Sequence, residues 1–126
     1  MNPMTHGIDW FEIGTDNPAA TERFYGDVFG WTFADDENAD EMPYRIATTP
    51  AEGSIKGGVL AHGGKLPNYA VFYVLVADVA DTCQRAEAAG GKVLVPPTEA
   101  PDGLKFAHLL DPTGCQLGVF TRPAGG

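Results

Sequence analysis

The residues best suited to chemistry sit on segments that alternate in polarity. In GIDWFEIG, Trp10 and Glu12 fall two apart, so a strand would turn both to one face. A carboxylate held beside an indole is a candidate general base. His108, in LKFAHLL, is a candidate proton carrier, which makes Glu12 and His108 the candidate catalytic pair. Each also has a plainer use. Glu12 would pair with Lys56 or Arg45 and hold the module interface together, because a buried charge needs a partner. A lone strand histidine is commonly a hydrogen-bonded filler. Tyr44 and Tyr73 either offer hydroxyls to a ligand or pack with their hydroxyls in water.

Other chemistries lack their residues. There is no nucleophile elbow and no dinucleotide fingerprint. GGVLAHGGK lacks the GK[ST] ending of a phosphate loop and leads into a strand, so Gly63 and Gly64 read as a flexible linker. His62 and His108 form neither an HxxxH nor an HxH pair. Cys83 and Cys115 form no CxxC and read as small core residues of a reducing compartment. With 17 acidic and 8 basic residues the net charge is -9, which excludes a nucleic-acid or anionic-membrane partner and suits solubility or a cationic ligand. Much of the excess lies in ADDENADE, read as a solvated strand end and loop. The N-terminus has no signal-peptide pattern, and the longest apolar run is too short for a bilayer. The expectation is a cytoplasmic protein.

The elements that would position these residues repeat. A strand over GIDWFEIG leads to a helix capped by Asp16 or Asn17, started by Pro18 and ended by Gly30, with Ala20, Phe24 and Val28 as its inward stripe. Strands follow at WTFAD, YRIATTP and SIKGGVLAH. YAVFYVLV then opens a second round: a helix capped by Asp78 and stopped at Gly90, with Val79, Cys83 and Ala86 inward; a strand KVLVPP ending at its prolines; and a hairpin of LKFAHLL and CQLGVFT across DPTG. The two rounds share order and punctuation at an offset of about 60 residues, the size of a βαβββ unit. The chain is thus expected to be one α+β domain over 1–126, with module one about 6–62, a linker 63–68 and module two about 69–121.

The motif D…A..FY.D.FGW.F, carried by Asp16, Ala20, Phe24, Tyr25, Asp27, Phe29, Gly30, Trp31 and Phe33, closely resembles the first module of the vicinal oxygen chelate superfamily. AGGKV..PP and F..LLDPTGCQLGVF resemble its second module. That superfamily includes glyoxalase I, bleomycin-resistance proteins, extradiol dioxygenases and methylmalonyl-CoA epimerases. The resemblance implies two tandem βαβββ modules whose curved mixed sheets enclose a cleft, and a homodimer. In metal-using members four strand positions, usually His or Gln and Glu, hold a divalent ion that activates vicinal oxygens. By the resemblance those positions fall at or near Ile8, Gly58, Val71 and Gly118, none of which ligates through its side chain. No metal and no other cofactor is therefore expected.

The same placement gives the cleft lining: Ile8, Trp10 and Glu12 from the first strand; Lys56, Gly58, Leu60 and His62 from the fourth; Val71, Tyr73 and Leu75 from the fifth; Gln116, Gly118 and Phe120 from the last. Trp10, Tyr44, Lys56, Gly58, His62, Tyr73, Gln116, Gly118 and Phe120 are the candidate ligand-binding residues, and their mixture suits an organic ligand. The glycines at Gly58 and Gly118 signal space kept for a ligand, or for Trp10 and Tyr73 leaning across. The leading expectation is a glyoxalase-like domain that binds a small organic molecule without metal, in antibiotic resistance or sequestration, with a cationic aromatic drug stacked on Trp10, Tyr73 and Phe120. Two others stand beside it: a lyase, isomerase or dioxygenase with displaced catalytic or metal-binding residues, and a non-catalytic dimeric interaction module.

Overall fold

Punctuation decides where each helix begins and ends. In a computed structural model, which describes residues 5–35 and 44–122, strand β1 (Ile8–Thr15) is followed by helix α1 (Pro18–Phe29). Asn17 caps α1 by accepting the Ala20 N–H at 3.1 Å, Pro18 needs no donor in the first turn, and Gly30 ends the helix with a left-handed φ of 75°. The chain then forms β2 (Thr32–Asp35), β3 (Tyr44–Thr48) and β4 (Gly57–Ala61). The second round supplies β5 (Tyr69–Leu75), α2 (Val79–Ala88), β6 (Lys92–Glu99), β7 (Lys105–Leu110) and β8 (Gln116–Thr121). Asp78 caps α2 by accepting the Asp81 N–H at 3.1 Å. The α+β, twice βαβββ reading is the architecture found.

Two compact units result. One is Trp10–Ala70; the described part of the other joins residues 5–9 to 71–122. In the first the strand order is β2-β3-β4-β1, with β4 and β1 parallel and the other pairs antiparallel. In the second it is β5-β8-β7-β6, with β5 and β8 parallel. Residues 6–9 join the second unit by backbone bonds between His6 N and Leu75 O and between Leu75 N and Gly7 O, and by an Asp9–Arg122 ion pair.

The second unit has the clearer apolar core. Val79 and Cys83 of α2 pack on Val76, Ala107, Leu109 and Val119, with Ala86 at the edge, as the helix pattern predicts. The first helix departs from its predicted face. Ala20, Phe24 and Val28 are exposed, and the covered side is Pro18, Thr21, Glu22, Tyr25 and Gly26. Polar and aromatic anchors set this rotation. The Thr21 hydroxyl bonds Thr15 Oγ1 at 2.9 Å, Glu22 pairs with Arg45, and Tyr25 stacks on Trp31 with centroids 4.9 Å apart. Trp31 in turn meets Phe11 on the helix-facing side of β1.

Three smaller expectations also change. β6 runs on through Pro96 and Pro97 to Glu99, because it pairs only with β7 and register shifts absorb the prolines. Cys83 is buried, but Cys115 is exposed in the β7–β8 turn, where its N–H serves the Asp111 carboxylate at 3.1 Å. Those turn donors, led by Thr113, hold the Asp111 carboxyl below its ordinary range. The acidic run is described only at Ala34 and Asp35; the rest of it lies outside the described residues. Among the described residues no helix is long and apolar enough to cross a membrane.

Candidate functional site

In the first unit, the parallel β1–β4 ladder sets Glu12 opposite Gly58, and Gly14 follows Glu12 on the same face. Aromatic rings lie where these two glycines lack side chains. A Cβ on Gly58 would overlap the Tyr44 ring, and one on Gly14 would overlap the Tyr69 ring. Both phenols close on the carboxylate between them. Tyr44 O–H donates to Glu12 Oε1 at 3.0 Å, and Tyr69 O–H donates to Oε2 at 2.5 Å. Trp10 Nε1–H donates to the Tyr44 oxygen at 3.0 Å. Glu12 itself is only 6 % exposed.

The electrostatics follow from this closure. Burial, and then the negative Glu12 beside them, push both the Tyr44 and the Tyr69 hydroxyl well above the ordinary phenol value of 10.0. The Trp10 hydrogen bond opposes the rise at Tyr44. The expected ion pair of Glu12 with Lys56 or Arg45 does not form. Arg45 is drawn to Glu22 and Asp35, each at 2.8 Å, and Lys56 is exposed just before β4 begins. Tyr44 likewise has its hydroxyl inside the network rather than in water.

His62 is 1 % exposed and is fully used by the chain. Gly64 N–H donates to its Nδ1 at 3.0 Å, which leaves the proton on Nε2 to bond Asn68 Oδ1 at 3.0 Å. Asn68 also accepts the Asp16 N–H and donates to the Asp16 carboxylate. The glycine-rich segment expected to be a flexible linker is therefore anchored at both ends.

The second unit repeats the frame with other residues. Tyr73 stands opposite Gly118 in the parallel β5–β8 ladder, and its ring fills the place of the missing Cβ. The Tyr73 hydroxyl lies 2.6 Å from His108 Nε2, and Gln116 Nε2 lies 2.9 Å from His108 Nδ1. With the amide as donor, Nδ1 accepts and Nε2–H points at the Tyr73 oxygen. Phe120 packs edge-on to Tyr73 at 6.1 Å, and the Arg122 guanidinium covers Phe120. Tyr73, His108, Gln116, Gly118 and Phe120 thus gather in one unit, and Trp10, Glu12, Tyr44 and Gly58 in the other.

Matching the ladders corrects one position. Glu12 and Tyr73 are equivalent, since each faces the glycine of its parallel partner, so the β1 counterpart of Val71 is Trp10 rather than Ile8. An indole is no metal ligand either. Glycines stand at two of the positions that the resemblance assigns to metal ligands, with tyrosine rings over them, and no group of three or more His, Cys, Asp or Glu able to hold a metal occurs among the described residues. The residues present do not fit the metal of the metal-using members.

Residues 7–119 match the model of the Glyoxalase/Bleomycin resistance protein/Dioxygenase superfamily. The chain belongs to that superfamily. This superfamily member is 33% identical over 120 residues, 95% of its length, to the Mycobacterium tuberculosis protein named "Putative glyoxylase CFP32". It is 24% identical, over 90% of its length, to the anthracycline biosynthesis protein DnrV of Streptomyces peucetius. It spans about half the length of these relatives, 45% and 46%. In fold it resembles a Streptomyces coelicolor methylmalonyl-CoA epimerase variant, with TM-score 0.67, 18% identity and coverage of 95% of this chain and 96% of that one. It also resembles the Mycobacterium tuberculosis epimerase, with TM-score 0.63, 15% identity and coverage of 98% and 91%.

Tyr69 and Gly14 were missed in the sequence. The signal was there: Gly14 interrupts β1 just as Gly58 and Gly118 interrupt their strands, and a strand glycine marks a close approach.

Two expectations follow. Gly58→Ala should destabilise the fold by about 1–3 kcal/mol through overpacking, and Tyr44→Ala should absorb much of that loss, so that a urea-denaturation double-mutant cycle is non-additive; additivity would mean the ring does not occupy the glycine's place. Alkaline titration at 295 nm should show Tyr44 and Tyr69 ionising only as the chain unfolds. Their folded values are raised, so they stabilise the fold fully below the ordinary 10.0, and that contribution is lost as pH climbs above it. Four phenols titrating together in the folded protein would contradict the network.

Proposed function

We propose that this superfamily member binds a small organic molecule through the strand face that carries Glu12, without a catalytic metal, in a resistance or sequestration role. One observation carries the reading: at Gly58 and Gly118, where metal-using relatives place a ligand, each strand carries a glycine with a tyrosine ring over it. Aromatic walls with a few fixed polar groups suit an organic guest. A relative named for anthracycline biosynthesis is in keeping with one. The test is metal analysis of protein purified without chelators, together with calorimetric titration of planar cationic compounds, bleomycin among them. The expected result is metal well below one per chain and saturable binding by at least one compound. About one transition metal per chain, lost on His62→Ala or His108→Ala, would overturn the metal-free part; absence of heat and of tryptophan quenching across the panel would overturn the binding part.

A second reading, catalysis, has the glyoxylase-named relative in its favour. Glu12 would then be the base, with Tyr69, 2.5 Å away, releasing it to substrate. Glu12→Gln should in that case cut any detected turnover by about 10²-fold or more, and unchanged turnover removes the role.

A further inference from the structure

Glu12 is a buried carboxylate whose hydrogen-bond partners among the described residues are neutral phenols. Two phenols share its charge without cancelling it. Among the described residues no lysine, arginine or histidine pairs with it: Arg45 is held by Glu22 and Asp35, and Lys56 is exposed. An ionised carboxylate with so little solvent is stable only with compensation, and a cation supplies the most. The geometry points to a ligand as its source. We propose that Glu12 is the counter-ion of a protonated amine, held over the rings of Tyr44, Tyr69 and Trp10. This inference rests on the organic-ligand reading above and names the chemical class that the first unit selects.

Three features favour an amine over other polar groups. First, a carboxylate offers about four acceptor directions, and two are used here, so N–H donors of a primary or secondary ammonium still find partners. Second, Gly14 and Gly58 let two phenol rings lie on the sheet on either side of Glu12, and Trp10 is tied to one of them. Faces of aromatic rings attract ammonium groups, and the attraction grows where water is scarce. Third, the phenol protons are directed at Glu12, so the cluster presents negative charge and little donor capacity to a guest. A carboxylate or phosphate guest would be repelled. The net charge of -9 raises the local concentration of cations and acts in the same direction.

The test uses the whole chain with Trp31→Phe, so that Trp10 is the remaining indole and its fluorescence reports on the cluster. The probes are benzylamine, benzyl alcohol and benzoate at pH 7, together with the planar compounds of the preceding titration. Benzylamine should quench saturably, benzyl alcohol should bind at least about ten-fold more weakly, and benzoate should not bind. Glu12→Gln should abolish the preference for the amine over the alcohol. Should that variant not fold, Tyr69→Phe serves instead: it keeps the carboxylate and removes one neutral donor, so the amine preference should persist or grow. If the planar compounds bind but benzylamine and benzyl alcohol bind alike, the inference falls and the organic-ligand reading stands. If neither the planar compounds nor benzylamine bind, both fall. A preference for the amine that survives Glu12→Gln would overturn the assignment to Glu12.

Discussion

The constraint on which the rest depends is a tyrosine ring packed against a strand glycine. It occurs with Tyr44 on Gly58 and Tyr69 on Gly14 in one unit, and with Tyr73 on Gly118 in the other. Glycine in a strand costs about 0.5–1 kcal/mol relative to alanine. Burying an aromatic side chain contributes about 1.5–3 kcal/mol. The exchange is favourable only if the ring can come down onto the backbone, and only a hydrogen at the strand position allows that. Each phenol then meets a polar group of its own unit, Glu12 in one and His108 in the other.

This arrangement settles which polar groups can be buried. A carboxylate as covered as Glu12 would ordinarily need an adjacent cation. Here the neighbouring cation is spent elsewhere: Arg45 bridges Glu22 of α1 to Asp35 of β2 and so fixes the rotation of the helix. The same side chain cannot do both. The consequence reaches the surface, because α1 turned by Arg45, Thr21 and Tyr25 leaves Phe24 and Val28 in solvent. The helix face, the carboxylate held by two phenols and the ring-over-glycine contacts form one set of linked choices.

Much of the fold could be read from the chain because local chemistry dictates it. Asn17, Pro18, Gly30 and Asp78 act through their immediate neighbours, so their roles survive any tertiary context. The α2 stripe was legible because Val79, Cys83 and Ala86 meet an apolar surface with no polar competitor. The α1 stripe misled because its apolar spacing competes with three polar or aromatic anchors whose partners, Thr15, Arg45 and Trp31, are distant in sequence or on other elements. The candidate site shows the same division. Alternation puts Trp10 and Glu12 on one face, and of the two uses that the sequence leaves open for Gly58 and Gly118, room for a ligand or for an aromatic ring, a ring is found at each. Which ring would come was not legible: Tyr73 was anticipated, but Tyr44 rather than Trp10 covers Gly58. Choosing between two aromatics on neighbouring strands needs the register, and hydropathy carries no register.

The repeated frame carries a different polar group in each unit. The parallel ladders place Glu12 and Tyr73 at equivalent points, each facing a glycine. In one unit the strand opposite the glycine supplies the acid and the ring comes from β3; in the other it supplies the ring and the imidazole comes from β7. A frame that can exchange which strand bears the aromatic and which bears the titratable group is not tied to a fixed ligand set. Four converging metal ligands require all four strand positions at once, and substitution at any one weakens the ion's hold. A ring on a glycine requires only its own pair. The carboxylate of one unit and the imidazole of the other are accordingly each held by a phenol of their own unit.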